Sequence, residues 1–131
     1  MNFGCVGIDS KGQYYMKFNR PFTIVEKIQL LQRSILVNSF VYYELNDNLL
    51  PDFKYDANVR QLEDLKRDYP KEFKRSRYYT YFYDYFNETD ESHYTSGFDL
   101  LDKVRKDDPQ LYHYIRVDAC MALDRKNEYR I

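Results

Sequence analysis

The chain has 131 residues, a formal net charge of −1, and 15 Tyr and 9 Phe with no Trp. That length suits one domain with a real core and no need of a metal or disulfide. The near-zero charge provides no global field for nucleic acid or a membrane surface. No apolar run is long enough to span a bilayer, and the amino terminus lacks a basic, then apolar, leader. The expectation is a cytoplasmic protein, in the host's cytoplasm if a phage encodes it.

Residues 2–18 read as a β-hairpin. Asn2–Ile8 and Gln13–Phe18 are short apolar runs around Asp9-Ser10-Lys11-Gly12. In such a turn Asp caps with its side chain and Gly accepts positive φ. A lone hairpin is marginal in water, so this one must pack on helices or on another chain. Asn19-Arg20-Pro21-Phe22 breaks the strand. Thr23-Ile24-Val25-Glu26 then matches a capping box, and Ile24, Ile28, Leu31, Ile35 and Tyr42 follow at helical spacing. This predicts a first helix over about 24–46, stopping in Asn46-Asp47-Asn48.

Pro51-Asp52 opens a second helix with Asp52 as N-cap. Tyr55, Val59, Leu62, Leu65 and Tyr69 form its inner stripe, and Pro70 ends it. The short connection predicts an antiparallel helical hairpin. Residues 75–86 fit two patterns: Tyr78, Phe82 and Tyr85 suit a helix, whereas Tyr79, Tyr81, Tyr83 and Tyr85 alternate as in a strand. The helix is favoured. Residues 87–97 read as a polar loop, 98–106 as a short helix, and Pro109 opens a last helix to about Leu123. Its apolar surface comes from Leu111, Tyr114, Ile115, Ala119, Met121 and Ala122. The fold class is mainly α with an N-terminal β-hairpin. One domain is expected, with the hairpin at 1–22, the helical pair at 23–74 and an aromatic-rich helical extension at 75–131.

Tyr42, Tyr43, Asp52, Tyr55 and Asp56 cluster around the junction of the first two helices. Phenol faces and carboxylates together suit a flat cationic ring. Asp52 and Asp56 lie four apart and share a helix face. The same residues also suit plain structural duty: Asp52 as a cap, Asp56 as a first-turn acid favoured by the helix dipole, Tyr42 and Tyr55 as packing.

The pattern Tyr42, then Asp52-Phe53-Lys54-Tyr55-Asp56, then Leu62, Leu65, Tyr69, Pro70 and Glu72 resembles the N-terminal Ia domain of NAD-dependent DNA ligases, over roughly residues 24–74. That family's pattern is a Tyr, usually followed by His, then Asp-x-x-Tyr-Asp and Leu-x-x-Leu. The domain recognises the nicotinamide mononucleotide (NMN) half of NAD. The resemblance implies stacking by Tyr42 and Tyr55 and polar contacts from Asp52 and Asp56. Tyr43 stands in the usual His place, and a phenol cannot become cationic near neutral pH as His can. The chain contains no Lys-x-Asp-Gly nucleophile motif and has no room for the remaining ligase domains, so it cannot ligate DNA by itself. The whole chain also resembles short ligase-A-related proteins of phages and mobile elements.

The functional expectation is a non-catalytic, phage-type module that binds NMN, NAD or an NAD-derived nucleotide and requires no cofactor. The alternative is a protein-interaction module, or an inhibitor of a host enzyme such as a defence enzyme, with the ligase-like fold as scaffold. An enzyme acting on NAD-like substrates is a weaker third reading, with no general base beyond Asp52 and Asp56. The basic group Lys71, Lys74, Arg75 and Arg77 beside aromatics could suggest single-strand binding. Asp84, Glu88, Asp90 and Glu91 follow it, which disfavours direct nucleic-acid contact. His93 and His113 are isolated, so no metal site is expected. Cys5 and Cys120 are expected to be reduced, a terminal disulfide being the minority reading. Thr95-Ser96-Gly97-Phe98-Asp99 resembles a loop-to-helix entry with capping as its plain role.

Overall fold

Strands β1 (Val6–Ile8) and β2 (Tyr14–Met16) pair antiparallel, with Gly7 opposite Tyr15 and Ile8 opposite Tyr14. The computed structural model describes residues 6–16, 21–83 and 97–128. The Asp9 carboxylate accepts from the Lys11 and Gln13 amides at 2.9 Å, and Gly12 takes φ +73°. The predicted turn chemistry is therefore present. The expected strand ends at 2–5 and 17–18 lie outside the described residues, as do Cys5, Asp84, Tyr85, the 87–96 loop and His93.

Helix α1 (Ile24–Glu44) begins with the predicted capping box. The Thr23 hydroxyl accepts from the Glu26 amide, and the Glu26 carboxylate accepts from the Thr23 amide. Its exit is at Asn46, at φ +53°, with the Leu45 and Asp47 amides both donating to the Val41 carbonyl. Asn tolerates this left-handed geometry better than most side chains. The helix stops two residues before the predicted end.

Every residue from Ser34 to Val41 is buried. A helix buried on all sides is a central helix, and α2, α3, α5 and α6 all pack on α1. The apolar stripe predicted one inner face only. The other faces carry polar groups that are buried with partners. Ser34 Oγ donates to the Gly12 carbonyl at 2.8 Å, Gln32 Nε2 donates to Ser76 Oγ at 3.0 Å, and Gln29 Oε1 accepts from the Arg77 amide at 3.0 Å. These bonds tie the hairpin turn and the 76–77 turn to α1. Tyr42 does not extend the core stripe: its ring is 54% exposed.

Helix α2 (Asp52–Asp68) differs from expectation at its start. Pro51 is the N-cap, without a side-chain bond, and Asp52 is the first helical residue. An acid there still favours the helix dipole. Only Leu62 of this helix is fully buried; Tyr55, Val59 and Leu65 are partly buried, and Tyr69 is exposed. Pro70 ends α2 and at once opens α3 (Pro70–Lys74), its fixed φ suiting the first turn of a helix. The ambiguous aromatic stretch yields a single turn, α4 (Tyr79–Phe82), so helix was the correct local state but not its expected length. Phe73, Tyr78, Tyr81 and Phe82 are buried there.

Helices α5 (Gly97–Asp107) and α6 (Pro109–Glu128) meet at Asp108, whose carboxylate accepts from the Leu111 amide at 3.1 Å. Leu111, Ile115, Ala119 and Ala122 form the buried seam of α6, while the expected apolar residues Tyr114 and Met121 are exposed. The hairpin docks on this layer. The Tyr14 hydroxyl donates to Asp118 at 2.5 Å, and Arg33 of α1 donates to the same carboxylate at 3.0 Å and to the Tyr78 hydroxyl at 2.9 Å. Burial pushes the Tyr14 phenol well above its ordinary pKa, with Arg33 opposing and Asp118 reinforcing.

Candidate functional site

The last turn of α1, the connection after it and the first turn of α2 enclose a cavity of about 200 Å³. From α1 come Ser39, Tyr42 and Tyr43; from α2 come Asp52 and Tyr55; Asn48, Leu49 and Leu50 line it from the connection. Leu49 and Leu50 are buried. Their insertion pins the connection against α1 and brings the two helix ends together. Lys126 of α6 holds the same connection from outside, donating to the Asn48 carbonyl and pairing with Asp47 at 3.3 Å.

Four of the five residues expected at the site line this cavity. Tyr42 and Tyr43 meet edge to face with ring centres 4.8 Å apart, and they are 54% and 44% exposed. That exposure is more than core packing leaves to a ring. Tyr55 is half-buried, and its hydroxyl lies 3.2 Å from Ser39 Oγ, a contact that orients the ring toward α1. Asp52 is exposed at the cavity's edge. Asp56 is exposed and is absent from the lining, so the two acids do not converge as the four-residue spacing suggested.

Sequence reasoning did not find Phe98, Ser39, Asn48 or the two leucines. Phe98 on α5 is 51% exposed and packs against Tyr43 at 5.8 Å, extending the aromatic wall. It can do so because α5 approaches α1 at Gly97, where a Cβ would stand 2.5 Å from Ser39 Oγ. That approach depends on tertiary packing and left no local signal. In Leu49-Leu50, two adjacent apolar residues inside a polar connection were the available clue.

Among the described residues the alternative constellations are only partly represented. Beside the basic group Tyr78, Tyr81 and Phe82 are buried, whereas Tyr83 is exposed. His113 is exposed and contacts Arg116, and no group of three or more metal-ligating side chains occurs among the described residues. Cys120 is a free, exposed thiol. Among the described residues no helix is long and apolar enough to cross a membrane.

Phenol faces, one carboxylate and neutral polar groups around a small cavity are a lining whose chemistry suits a flat cation. The comparison with known families bears on that chemistry. Residues 22–77 match the DNA ligase-like, N-terminal NAD+-binding domain family. The matched segment contains α1, α2, α3 and the whole cavity lining. Individual relatives agree. A DNA ligase of Porphyromonas gingivalis is 40% identical over 45 residues, 34% of this chain and 7% of the ligase. A DNA ligase of Thermotoga petrophila is 35% identical over 51 residues, 39% of this chain and 7% of the ligase. That of Nitrosococcus oceani is 37% identical over 51 residues, 39% of this chain and 8% of the ligase. The matched part of the chain thus spans less than a tenth of the length of these relatives. No solved structure matches it significantly. The hairpin, α5 and α6 lie outside the matched segment.

Proposed function

We propose that the chain is a non-catalytic module that binds the nicotinamide end of NMN, NAD or an NAD-derived nucleotide at the α1–α2 junction. The observation that carries this reading is the convergence of Tyr42, Tyr43, Asp52 and Tyr55 on one cavity inside the NAD+-binding-domain match. The pyridinium ring stacks on the phenol faces, each worth about 0.5–2 kcal/mol for a cation. Asp52 supplies charge complementarity and accepts from the carboxamide. Asp56 acts from one turn further along α2 as a weaker electrostatic contributor. The absence of the Lys-x-Asp-Gly motif from the given sequence supports the non-catalytic reading. A phage protein of this kind would sequester or sense the nucleotide in its host.

Calorimetric titration with NMN and NAD tests the proposal. Saturable binding is expected, abolished by Tyr55→Ala and weakened more by Asp52→Ala than by Asp56→Ala. Flat traces with folded protein would refute it.

A second reading rests on the exposed apolar residues near the cavity. Phe53 is 70% exposed and Leu45 37%, alongside Tyr42, Tyr43 and Phe98. Exposed aromatics of this kind serve as anchors in protein interfaces. An inhibitor of a host enzyme would use this face, and Phe53→Ser would then abolish capture of its partner without altering nucleotide binding.

A further inference from the structure

We propose that Phe98 of α5 is a positioning residue of the junction site, holding the Tyr43 ring that bounds the nicotinamide nucleotide. This rests on the nicotinamide reading above and extends the site to a helix outside the family match. Two consecutive residues at the start of α5 reach the cavity wall. The Phe98 ring meets Tyr43 edge to face, with centres 5.8 Å apart and planes at 68°. Gly97 permits that approach: a Cβ at its position would stand 2.5 Å from Ser39 Oγ and 3.3 Å from Tyr43 Cε2. Ser39 Oγ in turn lies 3.2 Å from the Tyr55 hydroxyl. The seam between α1 and α5 thus abuts residues that line the cavity.

An exposed phenol at the end of a helix has more than one staggered rotamer open to it. Edge contact with Phe98, and with Tyr42 at 4.8 Å, favours one of them. The support is firm, because α5 packs on α1 and buries Leu100, Leu101 and Val104. A ring ordered before binding loses less side-chain freedom when the ligand arrives. Tyr43 lines the cavity, so the effect of Phe98 is transmitted through it. Phe98 itself is half exposed, so removing it takes little from the core.

The test is calorimetric titration of the full chain and its variants with NMN. Phe98→Ala should weaken NMN about two- to tenfold, the range that an edge-to-face pair spans, and leave the thermal midpoint nearly unchanged. Phe98→Tyr keeps the ring and should bind as the native chain does. In a Tyr43→Ala background, Phe98→Ala should change the affinity by less than about twofold, since the ring it holds is gone. Native affinity in Phe98→Ala overturns the role of Phe98 and leaves the nicotinamide site intact. An undiminished loss of affinity in the Tyr43→Ala background overturns it as well, because Phe98 would then act by a route other than Tyr43. Failure of the folded native chain to bind NMN overturns the nicotinamide reading and the role of Phe98 with it.

Discussion

Asp118→Asn removes one charge from the group that joins the hairpin, α1 and α6. In the native protein its carboxylate accepts from Tyr14 at 2.5 Å and from Arg33 at 3.0 Å. The amide keeps the shape and one acceptor oxygen, so the change isolates the charge. Two unit charges 4 Å apart attract by about 4 kcal/mol at an effective dielectric near 20. Breaking a fully buried pair costs about 3–5 kcal/mol, because the surviving ion stays desolvated. Here the side chains of Arg33 and Asp118 keep 14% and 24% of their exposure, which admits some screening. Arg33 has little reserve, since its Nε is buried without a partner. We expect a loss of about 2–3 kcal/mol, which at this chain length lowers Tm by roughly 8–12 °C. Urea unfolding followed by circular dichroism measures it. Arg33→Met/Asp118→Leu removes both charges and should recover at least half of the loss, as apolar replacements of buried pairs do. A loss under about 0.5 kcal/mol for Asp118→Asn would refute the reasoning: the pair would then behave as an exposed one.

Three further outcomes follow from the packing and the ionisation. Leu62→Ala, at the one fully buried position of α2, should cost about 2–5 kcal/mol in the same unfolding assay, and a cost under about 1 kcal/mol would mean that α2 is loosely docked. Gly12→Ala forces positive φ on a side chain whose Cβ would meet Asn38 Nδ2 at 2.8 Å; destabilisation above about 1 kcal/mol is expected from strain and clash together, and a neutral result would contradict the turn geometry. Burial, reinforced by the hydrogen bond to Asp107, pushes the Tyr81 phenol up to about 12. The fold holds the protonated phenol, so this contribution is complete below about pH 10 and is lost as pH rises toward 12; the drop in unfolding midpoint between about pH 9 and 11.5 should be shallower in Tyr81→Phe, and an unchanged slope would exclude Tyr81 as a contributor.

Local chemistry made much of the fold legible in the sequence. The Asp9–Gly12 turn and the Thr23/Glu26 capping box are short-range hydrogen-bond patterns, and both occur as read. The mainly α architecture followed from periodicity. Periodicity failed where burial was not amphipathic. Gln29, Gln32, Ser34, Asn38 and Ser39 look like a solvent face, yet all are buried, because turns from distant segments reach them. Tyr42 shares the heptad-like spacing of the core residues but lies beyond the packed length of α1, at the cavity. Asp52 was placed one position too early in function, as cap rather than first-turn acid, since Pro51 itself ends the extended connection. For the site, the aromatic and acidic residues were visible because they are close in sequence. Phe98 was not, since only the approach of α5 at Gly97 brings it to Tyr43.

The proposed function places the nicotinamide ring in the cavity between the end of α1 and the start of α2. Amide NMR of the uniformly labelled chain, titrated with NMN and then with NAD, tests it residue by residue. Saturable shifts are expected, confined to the region of Ser39, Tyr42, Tyr43, Asn48, Asp52 and Tyr55. An unchanged spectrum of the folded protein at saturating concentrations of both ligands, or shifts centred elsewhere, such as around Arg33 and Asp118, would contradict it.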